Sequence, residues 1–192
     1  MIATATEQQT VLNIGCGAYK DGFQLPAEWK SFREIRVDVD PSLNPDFQAS
    51  MTDLSAIPTE SVDAIFCRGA LEHVYEHEVS IALGEMRRVL KHRGEIILTT
   101  VDLDRVMDGY RIYGLNGVAY ESKMGPITIR DMIYGHAGEI AAGHKDMAHH
   151  TGFSAATLQL AFSKAGFIVD VGAWQNGETV VPYGLAARGV KP

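Results

Sequence analysis

The chain has 192 residues, 46% of them apolar and 21% charged, which suits one domain with its own core. Lys and Arg number 17 against 24 Asp and Glu, a net charge of −7 that argues against a sequence-independent grip on nucleic acid. Two cysteines, Cys16 and Cys67, form neither a metal-type spacing nor a secreted disulfide framework. A reducing, cytoplasmic setting is expected, with no signal peptide, no membrane span and no metal.

Val11–Ile14 is a short apolar run ending in Gly15-Cys16-Gly17, a buried strand meeting a tight turn. Glu34–Val39 alternates charged and apolar residues and predicts a second strand. A weak strand is expected near Phe47–Ala49, and Val62–Cys67 predicts another. Val79, Leu83, Met86 and Leu90 recur at helical spacing. The basic residues Arg87, Arg88, Lys91 and Arg93 suit that helix's C-terminal dipole, and Gly94 stands where a left-handed cap is wanted. Glu95–Val101 is β-branched and apolar, the next strand.

Residues 102–152 differ. They are rich in Gly, Tyr, Met and His and lack clean periodicity, as expected of a partly helical insertion lying over a site. Ser154 can then cap a helix that contains Leu158 and Phe162 and stops at Gly166. Phe167–Val171 and Val180–Ala187 predict two last strands, with Gln175-Asn176-Gly177 as hairpin turn material. The alternation predicts an α/β fold: a Rossmann-like, mostly parallel seven-stranded sheet with an antiparallel edge strand and helices on both faces. Residues 1–192 are expected to form a single domain with an inserted substrate-side segment at about 102–152. Ligands of such sheets bind beyond the carboxyl ends of the strands.

Two strand ends carry ligand-binding features. The glycine turn lets backbone N–H groups approach a ligand closely. About twenty residues on, Asp38 ends the second strand and can accept from both hydroxyls of a ribose, with Asp40 the alternative and Val39 between them. A plain strand-to-helix turn, and an Asp40-Pro41 turn start, are the bland alternatives.

In order and spacing these segments resemble the class I S-adenosylmethionine-dependent methyltransferases of the small methyltransferase-domain type. VLNIGCG resembles the family's cofactor turn, and VDVDPS its ribose-binding strand end. ASMTDLSAIPTESVDAIFCRGALEHV resembles the adenine segment and fourth strand. EMRRVLKHRGEIILTTVD and HHTGFSAATLQLAFSKAGF resemble the helix-and-strand units that follow. The resemblance implies S-adenosylmethionine as cofactor. Gly15, Cys16 and Gly17 would face its methionine part and Asp38 its ribose. Thr52, Asp53 and Leu54 would hold the adenine, with Asp53 accepting from its amine. Arg68, Gly69 and Ala70 would line the amino-acid end. Leu71-Glu72-His73 matches the family's LEH sequence, for which a helix start with Glu at the dipole is the alternative.

Three departures stand out. Tyr19 replaces a frequent third glycine, Asn13 a frequent Asp, and the chain reaches its first strand without the family's usual capping helix. Covering the site is therefore expected of the 102–152 insertion or of a second subunit. That insertion holds His136, His144, His149 and His150. Histidine suits proton transfer near neutral pH, so His149 and His150 are the catalytic candidates. A metal reading of Glu139, His144, Asp146, His149 and His150 fits no zinc spacing. His73, Tyr110, Tyr113, Tyr134 and His136 are the candidate substrate residues, and Tyr120, Met107 and Met132 could join the tyrosines in a pocket wall; the alternative is that these residues form the insertion's own small core.

The expected activity is methyl transfer to a small-molecule acceptor. The alternatives are a non-catalytic S-adenosylmethionine-binding partner or sensor, or an enzyme that uses the cofactor without methylating. Bulk nucleic acid and membranes are not expected partners, and a homodimer is compatible with the sequence.

Overall fold

The computed structural model describes residues 8–18, 25–122, 125–176 and 179–192. Tyr19, Lys20 and Gly177 lie outside these. Four strands run parallel in the first half: β1 (Thr10–Ile14), β2 (Arg33–Asp38), β3 (Phe47–Gln48) and β4 (Val62–Arg68). Helix α1 (Val79–Val89) leads into β5 (Leu90–Val101), which joins β4 in parallel. After the insertion, α5 (Ala155–Lys164) is followed by the hairpin β8 (Ile168–Asn176) and β9 (Thr179–Val190). The seven strands take the order β3-β2-β1-β4-β5-β9-β8. The antiparallel strand is β9, held between β5 and β8 at that side of the sheet.

Period-two alternation assigns the faces. Leu12, Ile14, Ile65, Cys67, Ile96 and Leu98 pack with α1 and α5 in the main core. Val11, Ala64, Phe66 and Ile97 point the other way and meet Trp29 on a 3-10 helix at Ala27–Trp29. α1 fits the spacing read from the sequence, with Val79, Ala82, Leu83, Met86 and Val89 all buried. Ser154 caps α5 through the Thr157 N–H, and Gly166, at φ +86°, ends it.

Gly94 is not the left-handed cap. Arg93 takes that conformation at φ +62°, and the chain is already extended at Leu90. Gly94 is needed for closeness instead. A Cβ there would lie 2.7 Å from the Leu90 side chain and 2.9 Å from the Asp63 carbonyl. The basic cluster is likewise more than a dipole complement. Arg88 pairs with Glu85 and donates to the Leu54 and Ile57 carbonyls, tying down residues 54–57, while Lys91 pairs with Asp63.

The insertion leaves and returns at one point. Asp102 bridges Phe153, and the Leu103 N–H donates to the Phe153 carbonyl at 2.9 Å. Between them lie α2 (Leu103–Tyr113), the hairpin β6 (Val118–Ser122) and β7 (Gly125–Thr128), α3 (Ile129–Tyr134) and α4 (Ala137–Ala141). Val106, Ile127, Ile129 and Met132 make its small core.

Candidate active site

The carboxyl ends of β1, β2, β4 and β5 open onto two adjoining cavities. The first, of about 400 Å³, is floored by Ile14, Gly15 and Gly17. Gly15 and Cys16 both donate backbone N–H to the Val37 carbonyl, at 2.9 and 3.2 Å, bending the chain off β1. Gly15 sits at φ +66° against the turn after β4, where an added Cβ would come 2.6 Å from the Ala70 Cβ. Glycine is required here on both counts.

Asp38 locks the turn from the next strand. Its Oδ2 accepts from the Gly17 N–H at 2.9 Å, and its Oδ1 from the Asp40 N–H at 3.1 Å. Arg36 donates to the Gly17 carbonyl at 2.9 Å. Asn13 gives its amide to Glu34 at 2.7 Å, a bond an Asp at that position could not donate. Val39, Thr52, Arg68, Gly69 and Ala70 complete the sides of the cavity, with Met51 beside Thr52. The insertion supplies a cover of Asp146, Met147 and His150, the last stacked on Tyr75 at 4.3 Å.

Four residues expected at this site lie off its walls. Cys16 is buried behind the turn, and burial raises its thiol to about 11. The Asp40 carboxylate caps the Ser42 N–H, and that of Asp53 caps the Ser55 N–H. Leu54 is core. In each case a short-range hydrogen bond or apolar packing sets the direction of the side chain, which motif spacing does not report.

The second cavity, about 260 Å³, lies under the insertion. It shares Arg68, Gly69, His73 and Met147 with the first. Thr99, Thr100 and Val101 of β5 form one side, Trp174 and Tyr183 of the last hairpin another, and Tyr120, Asp131, Met132, His136 and His149 the insertion side. The indole Nε1 of Trp174 is buried and has no hydrogen-bond partner among the described residues.

Tyr110, Tyr113 and Tyr134, expected in this wall, face outward instead, 49%, 56% and 58% exposed. α2 buries Val106 and Gly109, with Gly109 pressed so close to Ile129 and Tyr183 that any Cβ would collide. α3 buries Ile129 and Met132, which leaves Tyr134 at its exposed end. Among the described residues the inward tyrosines are Tyr120, one of the expected wall residues, and Tyr183, which sequence reading did not assign to the site. Their burial depends on pairing partners distant in the chain.

The expected histidines separate. His150 reaches the first cavity and His149 the second. Glu139 and His144 pair with each other at 3.8 Å, away from both, so the acidic and histidine residues of the insertion do not converge. His149 meets His73 edge-on, ring centroids 4.9 Å apart. Burial, with His73 beside it, holds His149 down at about 4.

Leu71–His73 forms a 3-10 turn, but Glu72 does not serve its dipole from solvent. It is 3% exposed and accepts from the Thr100 hydroxyl at 2.9 Å. Burial raises its carboxyl above the usual range. The insertion is sewn to this turn: His150 and Thr151 donate N–H to the Glu72 carbonyl, and His73 Nδ1 lies 3.1 Å from the Ala148 carbonyl.

A glycine turn locked by an acidic strand end, at the mouth of a β3-β2-β1-β4-β5-β9-β8 sheet, defines a Rossmann-like fold. Residues 12–98 match the model of the family described as Methyltransferase domain. That stretch, a little under half of the chain, is therefore similar to a methyltransferase domain. No curated protein sequence matches the chain.

Solved structures share the fold. A SAM-dependent methyltransferase from Archaeoglobus fulgidus has a TM-score of 0.61 at 12% identity, covering 96% of this chain and 86% of the other. One from Methanosarcina mazei has 0.61 at 17%, covering 97% and 93%. The 1,6-didemethyltoxoflavin-N1-methyltransferase of Burkholderia thailandensis, with its substrate and S-adenosylhomocysteine bound, has 0.58 at 13%, covering 96% and 71%.

Proposed function

We propose that the protein transfers the methyl group of S-adenosylmethionine to a small polar molecule seated in the second cavity. The observation that carries this is the shared wall of Arg68, Gly69, His73 and Met147, across which occupants of the two cavities meet. The sulfonium is already an activated donor, so placing the acceptor in line with the methyl supplies much of the catalysis.

In this reading Gly15 and Gly17 take the methionine part, Asp38 the ribose hydroxyls, Thr52 the adenine side, and Arg68–Ala70 the amino-acid end. At about 260 Å³ the second cavity suits a small metabolite and not a macromolecular strand. Trp174 gives the cavity an aromatic wall suited to a ring or apolar part of that molecule. His149 stands where a proton leaving the nucleophile must go, and His150 with Tyr75 closes the cofactor side. The residues together act as one domain with the 102–152 segment as its substrate side. Two buried free thiols suit the cytoplasm, and among the described residues no helix is long and apolar enough to cross a membrane.

The test is release of S-adenosylhomocysteine from S-adenosylmethionine with a panel of small hydroxy, amino and heteroaromatic acceptors. Trp174→Ala should raise the acceptor KM and leave cofactor affinity unchanged. Cofactor binding with no release for any acceptor would favour a sensor. Methylthioadenosine as the product would show chemistry other than methylation.

A further inference from the structure

Three groups at the border of the two cavities remain beyond that reading. A carboxylate oxygen of Glu72 and one ring nitrogen each of His73 and His149 all lie within 4.8 Å of one another. A second, independent feature is how the two rings are held. His73 Nδ1 lies 3.1 Å from the Ala148 carbonyl, and His149 Nδ1 lies 3.1 Å from the Met132 carbonyl. A carbonyl has no proton to give, so each Nδ1–H donates, and in the neutral ring the lone pair is on Nε2. Metal-bound histidines are held in this way, one nitrogen fixed by a backbone carbonyl or carboxylate and the other on the ion. Glu72 is oriented in the same manner by the Thr100 hydroxyl.

We propose that Glu72, His73 and His149 form a binding site for a divalent transition-metal cation of the zinc type, open toward the second cavity. Two imidazoles and one carboxylate suit that class better than magnesium or calcium, which prefer all-oxygen shells. Bonds of about 2.0–2.2 Å place tetrahedral ligands about 3.4 Å apart, so separations of up to 4.8 Å close by at most about 1.4 Å.

The three ligands belong to one unit, since Glu72 and His73 share a turn and the segment carrying His149 is bonded to that turn through His150 and Thr151. The lining agrees, because the cavity wall carries the acidic side chains of both Glu72 and Asp131. Three protein ligands with an open fourth position is the arrangement of catalytic zinc sites.

The inference rests on the methyl-transfer reading for its purpose. With the ion bound, His149 is a ligand and no longer the proton acceptor, and an acceptor hydroxyl on the ion would lose its proton to water. The oxygen would then form the O–CH3 bond as the S–CH3 bond breaks and the sulfonium becomes a thioether.

The test is metal binding by the chelator-stripped full chain, titrated with Zn2+ by calorimetry and with Co2+ by visible absorption. One equivalent should bind, with the strong absorption of a low-coordinate cobalt site. Glu72→Gln, which keeps shape and the Thr100 bond, and His149→Gln should each weaken binding at least about tenfold. His144→Gln, outside the trio, should not change it. Thermal unfolding of each variant checks that it is folded.

Absence of stoichiometric binding in the unmutated protein would overturn the proposal. So would wild-type affinity in both trio variants. Affinity for S-adenosylhomocysteine, measured on the same stripped samples, tests the cofactor reading separately: its failure would sink methyl transfer and leave the cation result standing.

Discussion

Replacing Gly15 by Ala probes whether close backbone approach or left-handed geometry dominates the cofactor turn, because Gly17 provides an internal control. Both glycines lie in the left-handed region, at φ +66° and +61°. An L-residue there costs about 1–2 kcal/mol. Only Gly15 is also crowded. Its added Cβ would come 2.6 Å from the Ala70 Cβ, against an ordinary carbon contact of about 3.5–4.0 Å, while a Cβ on Gly17 meets nothing within 4 Å.

Relieving that clash requires the turn and residue 70 to part by about 1 Å, an overpacking cost of about 1–3 kcal/mol. Gly15→Ala should therefore lose about 2–5 kcal/mol and Gly17→Ala about 1–2 kcal/mol. For a chain of this size each kcal/mol lowers the Tm by about 2–4 °C. Urea unfolding of both variants measures the difference. Because Gly15 and Ala70 both line the first cavity, calorimetry should also show Gly15→Ala binding S-adenosylhomocysteine at least about tenfold more weakly than wild type, a change of about 1.4 kcal/mol. Equal stability of the two variants would refute the claim that closeness to Ala70 makes glycine necessary at residue 15.

Asp38→Asn removes the charge that accepts from the Gly17 and Asp40 N–H groups and leaves one acceptor oxygen for the two donors. Bonds to a charged group contribute about 1.5–3 kcal/mol, so affinity for S-adenosylhomocysteine should fall about 10–100-fold; unchanged affinity would confine Asp38 to a structural role. The thiols should be inert. Cys16 is buried and raised to about 11, and burial drives Cys67 higher still. At pH 8 about one Cys16 in a thousand is thiolate. Iodoacetamide should label neither cysteine in the folded protein and both in urea, as read by intact mass. Rapid labelling without denaturant would contradict the packing around β1 and β4.

Much of the sheet was legible because its signals are local. Alternation within Val11–Ile14 and Val62–Cys67, helical spacing in α1 and the Ser154 cap each depend on neighbours within a few residues. The same locality misled at Gly94, where a glycine after a helix reads as a cap. Its reason is the distant Asp63 carbonyl and a chain already extended at Leu90. At the site, Asp38 was identifiable from its place at a strand end, whereas the outward turn of Asp53 depends on a bond to Ser55.

The sequence by itself determined the α/β alternation, the glycine turn, the acidic strand end and the bounds of a segment unlike the rest. These follow from backbone stereochemistry and hydrophobic period, which act over short spans. Only the tertiary structure decided that His149 and His150 serve different cavities, that of the expected tyrosines Tyr120 and not Tyr110 or Tyr113 lines the wall, joined by Trp174 and Tyr183, and that Glu72 lies beside two histidines. His149 is far from Glu72 along the chain, and their meeting depends on hydrogen bonds from the His150 and Thr151 N–H groups to the Glu72 carbonyl. Backbone groups are nearly the same in every residue, so no residue type in the sequence marks where such bonds will form.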